Sequence, residues 1–254
     1  MRRGTAVPLL AGVLLLGAAC AAPSGQAEER AASPAPQPAS PSAPPSPTPS
    51  ERPMTGDEGR LRAAAEDGDL DALQEELDAG VDVDDPGDQG ETALFHAVVQ
   101  DHADVAEALV DAGADPDALN EEHDSPSLMT GVTGSTRMLD VLLEADPDIT
   151  EVNRVGGTAL IPACERGHAE YVRAILERTD VDVDHMNSHG WTALIEAVVF
   201  GDGSSDHQEI VRLLVDAGVD TDIADGVWGT TPLQHARDRG YTEIAGILAD
   251  AGAS

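Results

Sequence analysis

Four seven-residue phrases in this chain are near copies of one another. Glu91-Thr92-Ala93-Leu94-Phe95-His96-Ala97 returns as Gly157-Thr158-Ala159-Leu160-Ile161-Pro162-Ala163, then as Trp191-Thr192-Ala193-Leu194-Ile195-Glu196-Ala197 and Thr230-Thr231-Pro232-Leu233-Gln234-His235-Ala236. Their threonines are 66, 34 and 39 residues apart, which sets a step near 33 with one longer interval. A second phrase keeps the same time: Gly68-Asp69-Leu70-Asp71 and Gly167-His168-Ala169-Glu170 lie 99 residues apart. A unit this short cannot bury an apolar face alone, so copies must stack and share one continuous core. The composition suits thin layers. Aromatic residues are 2% of the chain while hydrophobic residues are 41%, so Ala, Leu, Val and Ile must do the packing.

Each phrase has a local reading. The threonine precedes an apolar run, where its hydroxyl can accept an orphan backbone N–H and start a helix. Ala or Pro after it suits the first helical turn. Leu94 and Ala97, like Leu160 and Ala163, fall at i, i+3 on one face. Gly113, Gly218 and Gly252 close second helices, where a left-handed residue is cheapest. Asp-rich stretches such as Val81-Asp82-Val83-Asp84 and Val181-Asp182-Val183-Asp184 then lead into projecting loops.

A 33-residue period with T-A/P-L, then G-h-x-E, then a run closing on A-G resembles the ankyrin repeat. The resemblance covers nearly everything from Leu61 to Gly252. It implies an all-α ankyrin-repeat solenoid of about six helix-turn-helix units with finger loops. The units run roughly 57–88, 89–121, 122–154, 155–187, 188–226 and 227–254. Three departures stand out. Phe95, Ile161, Ile195 and Gln234 occupy the family's usual histidine position, which loses a hydrogen bond to the threonine. The third unit, with Ser125-Pro126-Ser127-Leu128, aligns only after a one-residue shift, and its first helix is expected to carry Gly131 and Gly134. Each glycine costs about 1 kcal/mol against Ala in a helix interior, so the unit is either degenerate or a soft joint. The fifth unit carries about five extra residues between Phe200 and Asp206, expected to form a polar, flexible loop.

The chain before the repeats reads differently. Arg2-Arg3 followed by the apolar stretch Thr5–Ala19 has the form of a signal peptide, too short to span a bilayer. Its end, Leu16-Gly17-Ala18-Ala19-Cys20, resembles the lipobox of bacterial lipoproteins, with Gly17 where Leu is more usual. That resemblance implies cleavage before Cys20 and its lipidation, with two or three acyl chains giving stable anchorage. From Ala21 to Pro53 the chain collapses to Pro, Ser and Ala, with ten of its 17 prolines. Such a segment cannot repay the entropy of folding. It reads as a disordered, semi-rigid tether with a reach on the order of 100 Å. The expected division is therefore a signal peptide over 1–19, lipidated Cys20 and tether over 20–56, and repeats over 57–254.

Charge excludes some partners. The chain has 14 basic residues, all arginine, against 48 acids, for a net charge of −34. Nucleic acid needs a positive surface, and an anionic membrane face would repel this one. Membrane contact is expected only through the lipid anchor. From residue 57 onward 45 acids face 10 arginines. This field either serves solubility or attracts a basic partner.

Reactive constellations are weak. Cys164 and His168 lie four apart on what the pattern predicts as one helix, yet a small buried cysteine is usually inert packing. His185 and His189 with Asp182 and Asp184 lack a fixed metal-ligand spacing. Asp180–Asp184 begins like a calcium loop, but His185 replaces the turn glycine and Trp191 the bidentate acid. His96 and His235 recur at one place in their units, which points to a lattice role. No cofactor, metal site or catalytic set is expected.

The function expected is a non-catalytic protein–protein interaction scaffold, monomeric, exported and lipid-anchored to a bacterial cell membrane, facing the periplasm or exterior. The alternative is an accessory protein that stabilises or protects an exported enzyme, for example in oxidant defence. By resemblance to the family, partner contacts fall before the threonine and along the fingers of the concave face. Those positions are Glu91, Gly157, Trp191 and Thr230, with Arg154, His189 and Trp228 beside them. Trp191 and Trp228 are the chain's two tryptophans. Each is read either as an interface anchor or as packing between adjacent fingers.

Overall fold

The computed structural model describes residues 58–254. The signal peptide, Cys20 and the Pro-rich tether lie outside the described residues. Twelve helices follow in six pairs: α1 (Glu58–Asp67) and α2 (Leu70–Asp78), α3 (Ala93–Val99) and α4 (Ala103–Asp111), α5 (Pro126–Thr133) and α6 (Thr136–Leu143), α7 (Leu160–Arg166) and α8 (Ala169–Arg178), α9 (Ala193–Val199) and α10 (Ser205–Asp216), α11 (Pro232–Arg239) and α12 (Thr242–Asp250). Odd-numbered helices stack on one another in one row and even-numbered helices in a second. The core lies between the rows. Leu94, Ala97, Leu160 and Ala163 are at most 1% exposed, as the i, i+3 pattern requires.

The caps explain where the first helices start. Thr92 Oγ1 accepts from Phe95 N at 3.2 Å, Thr192 from Ile195 N at 3.3 Å and Thr231 from Gln234 N at 3.4 Å. Gln234 returns the favour to Thr231 N and completes a capping box. In the third pair Ser125 takes over the threonine's job, accepting from Leu128 N with Pro126 in the first turn. Thr158 breaks the series. Its hydroxyl is buried without a partner, and α7 starts two residues later behind Ala159.

That break faces an unusual contact. Gly131 lies inside α5, and a Cβ built on it would stand 1.8 Å from the Ala159 carbonyl oxygen. Here glycine is required by the close approach of backbone to backbone. Gly134 is not a helix-interior residue as expected; it caps α5 at φ 71°. The expected loop in the fifth pair is also corrected. Ser205 and Asp206 belong to α10, which at 12 residues is longer than the other helices. The remainder is held by side chains: Asp202 Oδ1 accepts from Ser204 N at 2.9 Å, and the Tyr241 hydroxyl donates to Gly201 O at 3.0 Å.

Three hydrogen-bond ladders tie neighbouring helix pairs and fingers together. Ring side chains at the start of second helices reach back to the preceding unit: His102 Nε2 to Glu66 O, His168 Nε2 to Val132 O and His207 Nε2 to Glu165 O, at 3.1–3.2 Å. At the feet of the fingers, Asp84, Asp117, Asp184 and Asp222 accept from the backbone N–H of Asp115, Asp148, Asp220 and Ser254, at 2.7–2.9 Å. Near the tips Glu121 N donates to Gln89 O, Ser188 N to Val155 O and Gly226 N to Gly190 O. Part of the acidity is therefore structural, since these aspartates are the joints between units.

Candidate partner-binding face

Four finger tips are each shaped by one side chain, buried in three of them and half-buried at Asn153. Asn120 Oδ1 accepts from Glu122 N and Asp124 N, Asn153 Oδ1 from Val155 N and Gly157 N, and Asn187 Oδ1 from His189 N and Trp191 N. In the last finger Asp225 does the same work, accepting from Val227, Trp228 and Thr230 N–H and from His235 Nε2 at 2.9 Å. Burial pushes the Asp225 carboxyl up, but these four donors outweigh it and hold it down at about 2. The residues five or six positions before each cap threonine or serine thus present everything that follows. Their signal in the sequence is an Asn five residues before the Thr or Ser in three units and an Asp six before it in the last.

The expected contact residues fare differently. Trp228 is 66% exposed on the tip that Asp225 holds, beside exposed Val227, with its ring edge-on to His235 at 6.3 Å. Trp191 is half-buried. Its ring packs against Phe200 at 4.7 Å between centroids and against His189 at 6.0 Å, all three within one unit. Its contacts are thus with its own unit, and its indole N–H is buried with no acceptor. Arg154 reaches back to Glu122 on the preceding finger at 2.7 Å, an exposed pair. Glu91 and Thr230 are half-buried, and His189 is exposed.

Fingers and first helices of the fourth and fifth pairs, with Val132 of α5, line an open pocket of about 320 Å³. Val155 and Trp191 from the fingers, with Ile161 from α7 and Phe200 after α9, give it apolar walls. Glu165 and Glu196 also line it. Glu196 is 7% exposed, and its Oε1 accepts from Asn187 Nδ2 at 3.1 Å. Burial first, and then the nearby Glu165 carboxylate, raise Glu196 to about 7. Sequence patterning gave no hint of this, because an acid in a first helix looks like any solvated one until its neighbours are known.

Comparison with known proteins settles the family. The family model described as ankyrin repeats (3 copies) matches residues 61–153 and 127–225. The chain belongs to the ankyrin-repeat family. It is 40% identical to the ankyrin repeat protein YahD of Escherichia coli K12 over 190 residues, 75% of this chain and 94% of that one. An ankyrin repeat domain from Acinetobacter baumannii, solved by crystallography, is 43% identical with a TM-score of 0.72, covering 76% of this chain and 98% of that one. The ankyrin repeat domain of Bcl-3 is 27% identical with a TM-score of 0.67, covering 77% and 86%. Ankyrin repeats are in general non-catalytic modules that bind other proteins.

Within this ankyrin domain the suspected reactive groups have structural employment. Cys164 is fully buried in α7, and burial, then Glu196, push its thiol far above the ordinary range. His168 is not on that helix; it precedes α8 and bonds Val132 O. His185 Nε2 lies 2.7 Å from Gly156 O, a tie between neighbouring fingers. His235 pairs with Asp225 of the finger that precedes its helix, and His96 lies edge-on to Phe95.

Proposed function

We propose that this chain is an exported scaffold, anchored through lipidated Cys20 to the outer side of a bacterial membrane. The Pro-rich segment holds the ankyrin domain away from the lipid. The domain, acting as a monomer, binds an exported protein through the fingers and first helices of its last three units. One observation carries the reading: Trp228 stands two-thirds exposed on a finger whose backbone is fixed by three hydrogen bonds to Asp225, itself held by His235 Nε2. A rigidly presented, solvated tryptophan costs little entropy to bury, which suits an interface anchor. Trp191 and Phe200 add apolar surface on the neighbouring unit.

The test is a pull-down from the envelope fraction with the full chain and with a Trp228→Ala variant. Recovery of one exported protein by the native chain, lost with the variant at unchanged thermal stability, is the expected result. The same proteins on both baits, or none, would overturn the reading. Mass spectrometry of the mature N-terminus tests the anchor: a diacylglyceryl adduct on Cys20, absent in Cys20→Ala, is expected. An unmodified thiol there would remove the membrane from the proposal.

A further inference from the structure

The pocket between the fourth and fifth units joins acidic groups to an aromatic wall. Two carboxylates, Glu165 on α7 and Glu196 on α9, line it against an aromatic wall of Trp191 and Phe200. Among the described residues, its lining contains no arginine, and His189 is its one basic side chain. Elsewhere on the domain five arginines pair with acids of other elements: Arg62 with Asp85, Arg137 with Asp104, Arg154 with Glu122, Arg173 with Glu209 and Arg178 with Asp140. Here two acids face one hollow without such a partner. The indole N–H of Trp191 is likewise buried without an acceptor.

We propose that this pocket receives an arginine side chain from a segment of the partner protein, its stem along Trp191, Phe200 and Val155 and its guanidinium between Glu165 and Glu196. The inference rests on the scaffold reading and names the chemistry that reading recognises. A planar guanidinium fits for three reasons. It offers five donors in a fork that reaches two carboxylates at once. It stacks favourably on aromatic faces. It is also more weakly hydrated than an ammonium, so it enters a half-buried site at lower cost. Burial and the facing Glu165 carboxylate already disfavour the charged form of Glu196, and a guanidinium between the two would relieve that repulsion. The volume, about 320 Å³, lies at the lower end of ligand-sized pockets and accommodates one long side chain.

The probe is a blocked Gly-Arg-Gly peptide titrated into the full isotope-labelled chain, followed by the indole N–H resonances of Trp191 and Trp228. A single side chain binds weakly, with Kd of about 1 mM. The expected result is a saturable shift at Trp191 and not at Trp228. It should weaken at least tenfold for the peptide with citrulline in place of arginine, and equally for Glu165→Gln with Glu196→Gln. Gln at 196 keeps the acceptor for Asn187, so the double variant should stay folded, which the unchanged remainder of its spectrum would show. No saturable shift, an equal shift from the citrulline peptide, or full binding by the double variant each overturns the proposal. A partner captured through Trp228 but indifferent to the double variant would overturn this inference while leaving the scaffold reading in place.

Discussion

Glu196→Gln should stabilise the domain, and the size of the gain should depend on pH in one direction only. The native carboxyl is 7% exposed and titrates at about 7, against 4.5 for an unperturbed Glu. Because the folded value is the higher, the native state binds the extra proton between those values. Stability therefore falls as pH rises from about 4.5 to about 7, and the full penalty is present above that. A rise from 4.5 to about 7 corresponds to about 3 kcal/mol at most. Gln is isosteric and still accepts from Asn187 Nδ2, so the substitution removes the charge without removing the bond. For a domain of this size that gain raises Tm by roughly 6–12 °C, from about 2–4 °C per kcal/mol. Thermal unfolding of native and variant chains at pH 4.5, 6, 7 and 8 is the assay. The two should nearly coincide at pH 4.5 and separate by pH 8. A constant difference across the range, or a variant less stable at pH 8, would refute the argument that an uncompensated buried charge sits there.

Other perturbations have equally definite outcomes. Gly131→Ala places a methyl against the Ala159 carbonyl and should destabilise by about 1–3 kcal/mol in urea unfolding, although alanine normally favours a helix; a stabilised variant would mean the two backbones are not in contact. Asp225→Asn should destabilise at pH 7 by an amount that shrinks as pH falls from about 4 towards 2. The folded carboxyl is held low, and its advantage is lost on protonation; a pH-independent effect in the same melts would contradict this. His207→Ala removes a ring 6% exposed that joins Glu165 O to Asp202, and should cost about 2–4 kcal/mol in chemical denaturation. Less than about 0.5 kcal/mol would show that the ladder adds nothing. Amide exchange should be fastest in α5 and α6. Among the described residues, the core divides into two clusters there, and Ser135 stands where other units have a ring reaching back. Equal protection in α5–α6 and α7–α8 would remove the idea of a soft joint.

How much of this was legible beforehand follows from the range of each interaction. The threonine caps, the buried Leu and Ala pairs and the glycines after second helices are decided within about four residues, so the repeated phrase displayed them. Repetition also extended local signals to the architecture, because a unit that cannot bury its own face must meet a copy of itself. The same reasoning failed wherever one copy differs from the next. Thr158 has the residue of a cap but not the bond, and Gly131 is explained only by Ala159 of the following unit. The loop after Phe200 looked flexible until Tyr241, 40 residues on, was seen to hold Gly201.

The sequence by itself determined the helices, their pairing and the order of stacking, since these rest on periodicity and on capping groups carried in each unit. Tertiary structure alone decided which of 45 acids lost its water, which histidine became a joint and which tryptophan stayed in solvent. Those outcomes depend on partners about one repeat away. Desolvation and Coulomb coupling are set by the atoms that surround a side chain in space, and no local pattern encodes them.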